Sequence, residues 1–557
     1  MKMRQIIILS LLLSLCRIQS SGQDGLHERV YLQTDKRLYL SGETVWIKAL
    51  TATPERIPLS FSKLVYVELL DETTSRQQIK IGLSDGTGEG WIRLPLSLPS
   101  GCYRLVAYTR LMRNEGPDVF FNTTIGVVNT FQPALPGIVP PSADSRQAVV
   151  PPSAGGGEER NTIELSLNKP GFAVRETGRL QLDGLPEDVH TLSVSITGKP
   201  PLPVPGSGGI MQWHEQVKPS KAPLSLKYIP EYEGHIITGK IVALDGISNP
   251  EPEVSALLSV PGEQPYLFAG RRNGDDVSFY LTDMTGITEI VTTATGASDN
   301  YRIEIQSPFI QQHATGPLPH LPVDSTHLEA LLKRSVALQL LPNPVKDTLA
   351  GPVTRNAGFN PEPSITYRLD EYTRFPRMDE LILEFVLGVR FRMRDDKREI
   401  IMAVIRGNDI PWITPLVLLD GIPVKDHELI YQYNPLLVER IDVYMKEYVF
   451  GGKKYDGMIS FSTYMHNYPE LSLDKTYQII EYAGTQSKYK PVNPPDRKRQ
   501  PDFRHTLLWN PSLQTAGKPS LQIPFHTSDY TGEFVITVEG LTKTGKPVYG
   551  ALSFTVE

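Results

Sequence analysis

Apolar and polar residues alternate with a period of two in short runs along most of this chain, the spacing of half-buried β-strands. In "SKLVYVELLD" Val65, Val67 and Leu69 fall on one face, with Tyr66 and Glu68 on the other. Ser41-Gly42 and Ser100-Gly101 each turn the chain into a β-rich run, the second with Tyr103, Leu105 and Ala107 on one side. About seven such strands between Glu28 and Thr130 predict a β-sandwich over 24–130. Residues 131–160 break the pattern: they are rich in proline and nearly free of large apolar side chains, as in a linker. Alternation resumes in "TIELSLNK" and "TLSVSITG", then in "GHIITGKIVA", "EVSALLSV", "VSFYLTD" and "YRIEIQS". These runs predict two further sandwiches, over 161–230 and 231–310.

The period then changes. Residues 311–363 are broken by proline, with one helix expected near Ser325–Leu341. Met378, Leu381, Ile382, Phe385 and Val386 repeat at helical spacing just after Pro376. A buried strand and turn, "PLVLLDGIPV", follows, then a helix-like stretch, "HELIYQYNPLLVERIDVY", then "GGKKYDGMISFSTY". The order predicts a small α+β domain over 364–468. A linker over 469–499 and a set of C-terminal strands over 500–557 complete the chain. The last segment is short for a sandwich of its own, so it could complete an earlier one, with the α+β unit inserted between.

Composition sets the compartment and removes several functions. Lys2 and Arg4 precede an apolar run, Ile6–Leu15, and Ser20 and Gly22 suit a cleavage site before Gln23, so residues 1–23 read as a secretory signal peptide. Cys16 raises an acylated N-terminus, which Leu15 before it suits poorly. No later apolar run reaches the ~18 residues of a membrane span. The chain is therefore expected in the periplasm or at the outer membrane, with no transmembrane span. The other cysteine, Cys102, would have no internal disulfide partner in the mature chain. With 557 residues, 40% of them hydrophobic, the chain can build roughly three to five packed domains. Its net charge of −6 offers no basic field for nucleic acid.

Three stretches carry a resemblance. "YLQTDKRLYLSGETVWIKA", "LPLSLPSGCYRLVAYT" and "FNTTIGVV" resemble a macroglobulin-type domain, the sandwich repeated in alpha-macroglobulins. "LLWNP" and "GEFVITVEG" resemble a late macroglobulin sandwich. Leu418, Asp420, Gly421, Pro423, Val438, Glu439, Ile441, Val443, Gly457, Ile459 and Thr463 follow the order of a TonB-dependent receptor plug. A receptor needs a barrel after its plug, and the 93 residues after Tyr464 are too few to build one, so transport is not carried over. The combination is similar to exported proteins of Bacteroidetes. The fold expected is mainly β: several immunoglobulin-like or macroglobulin-like sandwiches with one small plug-like α+β domain.

The motifs that point to chemistry are weak. Ser487–Lys490, Ser298-Asp299-Asn300 and Lys543-Thr544-Gly545 spell the β-lactamase set, but in the wrong order and in loops or turns. Gly262-Glu263-Gln264 matches the macroglobulin thioester sequence, but Pro261 stands where its cysteine must be, so any protease inhibition would be steric. "SDGTGEGW", Asp370-Glu371, Asp395-Asp396 and Arg497–Arg499 read as turns or solvated loops. The eleven histidines are scattered and form no metal motif. No enzyme activity and no cofactor are expected. The leading expectation is an envelope scaffold whose partner is a protein, either an outer-membrane barrel or a protease. Asp420, Gly421 and Pro423 in one turn, with Gly451, Gly452 and Gly457 in the next loop, are the candidate contact residues. The alternatives are a macroglobulin-like endopeptidase inhibitor without a thioester, with 131–160 as its bait segment, and an accessory of TonB-dependent transport.

Overall fold

A computed structural model describes residues 27–72, 74–132, 160–206, 208–217, 225–245, 254–282, 284–296, 300–313, 316–340, 361–404, 409–450, 453–486 and 501–557. The expected signal peptide with Cys16, most of the 131–160 linker, Gly451, Gly452, Ser298, Asp299, Ser487–Lys490 and Arg497–Arg499 lie outside them. The protein is mainly β, in several sheets, with few helices. It divides into two compact units, one of Met1–Tyr232, Gln311–Thr348 and Thr485–Glu557, the other of Glu233–Ile310 and Leu349–Gly484.

The first unit holds two sandwiches. In the first, strands Arg29–Thr34, Thr44–Ala52 and Thr87–Arg93 form one sheet. Leu38–Leu40, Phe121–Val128, Gly101–Tyr108, Leu64–Leu70 and Ser75–Gly82, in that order, form the other. "SDGT" closes the Ser75–Gly82 to Thr87–Arg93 connection with Asp85 at φ 52° and Gly86 at φ 70°. Two successive positive φ values are what a hairpin of this hand requires.

Leu64–Leu70 departs from a half-buried pattern, because all seven of its residues are buried. Polar partners cover its second face: Tyr66 donates to Glu231 (2.9 Å), and Glu68 accepts from the Tyr108 hydroxyl (2.7 Å). The helix Leu328–Leu340 packs Leu331 into a cluster with Leu38, Leu40, Cys102 and Val128. It anchors itself through Arg334, which donates to Glu43 (2.9 and 2.6 Å) and to the Leu38 carbonyl (2.9 Å). Burial of Cys102 pushes its thiol up to about 11, away from reactivity.

The second sandwich joins strands between residues 164 and 198 to the C-terminal strands between 506 and 556. Gly171–Phe172, Pro547–Val556, Gly532–Thr542, Val189–Gly198 and Thr506–Asn510 form one sheet, in that order. Ser520–His526, Thr177–Asp183 and Glu164–Leu167 form the second. Their inner faces share one core, with Leu180, Leu182, Leu192, Val194, Ile196, Phe525, Phe534 and Phe554. Segments 161–230 and 500–557 thus both supply strands to one sandwich, the arrangement that the shortness of the last segment left open. Lys543-Thr544-Gly545 is the hairpin turn between the last two strands, with Gly545 at φ 81°.

The second unit joins a third sandwich to the α+β domain. Arg271–Asn273, Asp276–Leu281, His235–Ala243 and Tyr301–Ile305 face Tyr266–Ala269, Ser255–Val260, Ile287–Thr295 and Tyr477–Ala483 across a common core. The last strand falls inside 469–499, expected as a linker; its Ile480 and Tyr482 close the core. "PGEQP" is the loop between Ser255–Val260 and Tyr266–Ala269.

The α+β domain has a mixed sheet ordered Ile365–Arg368, Val438–Tyr444, Met458–Thr463, Leu416–Leu419, Ile422–Pro423. Helix Met378–Phe385 buries Met378, Leu381 and Ile382 as expected. The stretch 427–444 does not stay helical. Helix Glu428–Gln432 ends at Tyr433, Asn434 caps a single turn at Pro435–Leu437, and Val438–Tyr444 is a strand. Pro435 has no N–H to continue the helix, and the β-branched residues beyond it favour the sheet.

Candidate functional site

The parallel pairing of Leu416–Leu419 with Met458–Thr463 sets the site. It places the Asp420-Gly421 turn beside the end of the second strand. Asp420 and Gly421 have φ of 48° and 85°, a two-residue hairpin between Leu419 and Ile422. The Asp420 side chain then turns inward and is 1% exposed. Its carboxylate accepts from the Thr463 N–H (2.7 Å), the Thr463 hydroxyl (2.6 Å) and the Tyr468 N–H (2.6 Å). Gly421 is packed against Pro265, which leaves no room for a Cβ. Pro423 is buried, and its carbonyl accepts from the Tyr477 hydroxyl (2.8 Å). Gly457 abuts the Met402 side chain at φ 156°, a backbone conformation that favours glycine. Asp420, Gly421, Pro423 and Gly457 therefore shape the interior of this unit and offer no open edge. The reason is tertiary: Pro265, Met402, Tyr468 and Tyr477 cover turns that their local sequence would leave exposed.

Just outside these residues lies a cleft of about 270 Å³. It is lined by Thr295 of the third sandwich, by Thr414–Val417, Pro423–Lys425 and His427, and by Lys453–Asp456. His427 is buried, and its Nδ1 accepts from the Ile400 N–H (3.0 Å). That bond puts the proton of the neutral ring on Nε2. Burial lowers the His427 pKa, against a partial upward pull from Glu399 and Asp426, so the ring is neutral near pH 7. Lys425 donates to Thr476 Oγ1 (2.7 Å) and sits 5.2 Å from the Tyr477 ring. Lys454 bridges Glu447 (2.8 Å) and Asp456 (3.7 Å). Lys453 is exposed, with its amine 5.5 Å from the Tyr455 ring.

The Tyr455 hydroxyl and Thr295 Oγ1 are buried without a hydrogen-bond partner. Burial pushes Tyr455 up to about 12, so it stays a donor at neutral pH. Such an arrangement can donate hydrogen bonds and hold negative charge. Among the described residues, no nucleophile is hydrogen-bonded to His427, and no group of three His, Cys, Asp or Glu could hold a metal. Sequence reasoning marked Pro423, which lines the cleft, but missed Lys425, His427 and Tyr455. No local motif marks these three; they are brought to one cleft by the tertiary fold.

No protein-family model matches the chain, and no curated protein matches its sequence. Solved structures similar to it include Salmonella alpha-2-macroglobulin reacted with methylamine, at 10% identity, covering 95% of this chain and 39% of that one, with a TM-score of 0.22. The native conformation of Escherichia coli alpha-2-macroglobulin is similar at 10% identity, covering 96% and 40%, with a TM-score of 0.24. Dimeric latent PorU from Porphyromonas gingivalis is similar at 11% identity, covering 50% and 33%, with a TM-score of 0.16. The chain spans about two fifths of the length of the two macroglobulins. At these scores no residue role is carried over from any of them. Among the described residues, no helix is long and apolar enough to cross a membrane.

Proposed function

We propose that this protein is a non-catalytic binding scaffold of the bacterial cell envelope, which docks through its α+β domain onto an outer-membrane protein partner. The observation that carries the reading is how that domain is held. Its Asp420 turn is pinned on three hydrogen bonds, and Ile422 packs with Val291 and Tyr477 of the third sandwich. A rigid support leaves the ribbon of Tyr448–Phe450 and Lys453–Tyr455 to be presented, with Val449 75% exposed. An exposed apolar side chain opposite a lysine on a hydrogen-bonded ribbon suits a docking element, because little conformational freedom is lost on binding.

The test is a pull-down of full-length protein from outer membranes with and without Val449→Asp. Val449 is exposed, so the substitution should shift stability by no more than about 0.5 kcal/mol. The expected result is one stoichiometric barrel partner, lost in the variant; no partner, or turnover of a cell-wall or peptide substrate, would overturn the reading. An accessory role in TonB-dependent transport is the form this docking would take if that barrel were a receptor.

A second reading is steric protease inhibition, favoured by the macroglobulin-like motifs around Ser41-Gly42 and Ser100-Gly101. The loop carrying Gly262-Glu263-Gln264 has no cysteine, so no covalent trap forms there. This reading predicts that a protease cutting within 131–160 is hindered afterwards; unhindered activity of the cutting protease excludes it.

A further inference from the structure

We infer that the cleft of the α+β domain is a binding site for a single anionic group, a carboxylate or a phosphate, held by the Tyr455 hydroxyl, Thr295 Oγ1, His427 Nε2 and the lysines of its rim. The inference does not depend on docking to the outer membrane.

Three observations converge on it. The first is unmet hydrogen bonding. The Tyr455 ring is buried, with only 9% of the residue exposed, and its hydroxyl has no partner. Thr295 Oγ1, from the neighbouring sandwich, is buried and unpartnered too. Buried polar groups are nearly always satisfied, so two unpartnered hydroxyls on residues that line one cleft mark a place for a ligand with acceptor oxygens. The second is the histidine. With Nδ1 taken by the Ile400 N–H, the neutral ring can only donate from Nε2, so His427 adds a third neutral donor.

The third is charge. The lining contains three cations, Lys425, Lys453 and Lys454, against one anion, Asp456, a balance of +2 with His427 neutral. In a chain of net charge −6 this is a local reversal of sign. Lys454 is engaged by Glu447 and Asp456, which leaves Lys453 on the exposed side to meet incoming charge. Size narrows the ligand. At 270 Å³ the cleft is smaller than the roughly 300–1,000 Å³ of pockets that take drug-sized molecules. It accommodates one acidic side chain, a C-terminal carboxylate or a phosphate head, and no folded segment.

The test is calorimetric titration of the full-length protein with inorganic phosphate and, separately, with an acetylated glutamyl dipeptide amide. Tyr455→Phe removes the hydroxyl and leaves the ring in place. Lys453→Gln removes a rim charge, and Lys397→Gln, outside the cleft, is the control. Saturable 1:1 binding of either probe is expected, weakened about tenfold or more by Tyr455→Phe, as for loss of a hydrogen bond to a charged group. Lys453→Gln should weaken binding severalfold and flatten its salt dependence. Lys397→Gln should leave it unchanged. Tyr455→Phe should also melt no lower than the parent, since it removes an unpartnered buried group, and this separates lost binding from lost folding. Preference for one probe identifies the anion as phosphate or carboxylate. No saturable binding of either probe, or binding that survives both cleft substitutions, would overturn the inference.

Discussion

Asp420 shows how one carboxylate can decide a local structure. Its three hydrogen bonds tie the hairpin turn to the end of strand Met458–Thr463 and to Tyr468. Asp420→Asn keeps the shape and tolerates the left-handed backbone, but it gives one N–H donor an amide nitrogen to face. We expect a loss of about 2–3 kcal/mol in the second unit, read from urea unfolding. Lys48 shows the opposite economy. It is fully buried within the first unit, with no partner for its amine. Burial brings it down to about 7, while Glu539 and Glu89 pull it upward. The unfolded chain holds that proton up to about 10.4, so between pH 7 and 10 it binds a proton the native state lacks, and stability rises with pH. Lys80, also brought down to about 7 by burial against an upward pull from Glu231, adds to the same slope. Lys48→Met should stabilise the first unit at pH 7 and remove part of that rise between pH 7 and 9. An unchanged slope would show that the amine is solvated.

At the scale of elements, pattern recovered what is local and missed what is covered from a distance. The helix Met378–Phe385 and the turns at Asp85-Gly86, Asp395-Asp396 and Lys543–Gly545 follow from short-range spacing and turn chemistry. The inward face of the Asp420 turn does not, because Pro265 and Tyr477, which cover it, come from other parts of the chain. The cleft was illegible for the same reason: Thr295, His427 and Tyr455 are distant in sequence and line one cleft only in the folded unit. The second sandwich pairs strands far apart in sequence, among them Val189–Gly198 against Gly532–Thr542. Phe534 is fully buried there and stacks on Phe554 at 5.7 Å. Phe534→Ala should cost about 3–5 kcal/mol and open cleavage sites between residues 161 and 198, far away in sequence. Limited proteolysis with mass mapping reads this directly; cleavage confined to 501–557 would show that the C-terminal strands fold apart.

At the scale of the molecule, each unit is assembled from separated segments. The first takes three stretches of chain and the second takes two. Strands that close a sandwich late in the sequence must wait for the insertion to be made, and such non-local pairing slows folding. The mainly β architecture was legible in the alternation of the sequence, and the shortness of 500–557 pointed to an inserted unit, but which sandwich it closes was not legible, since periodicity names strands without naming their partners. The docking role proposed for the second unit places a partner protein at the Tyr448–Tyr455 ribbon. The most direct test is a photo-cross-linking residue placed at Val449 in cells producing the full chain, with Asp395, at an exposed turn of the same domain, as the comparison site. The account predicts one dominant cross-linked product with an outer-membrane protein from Val449 and none from Asp395. Equal labelling from both sites, or none from either, would contradict it.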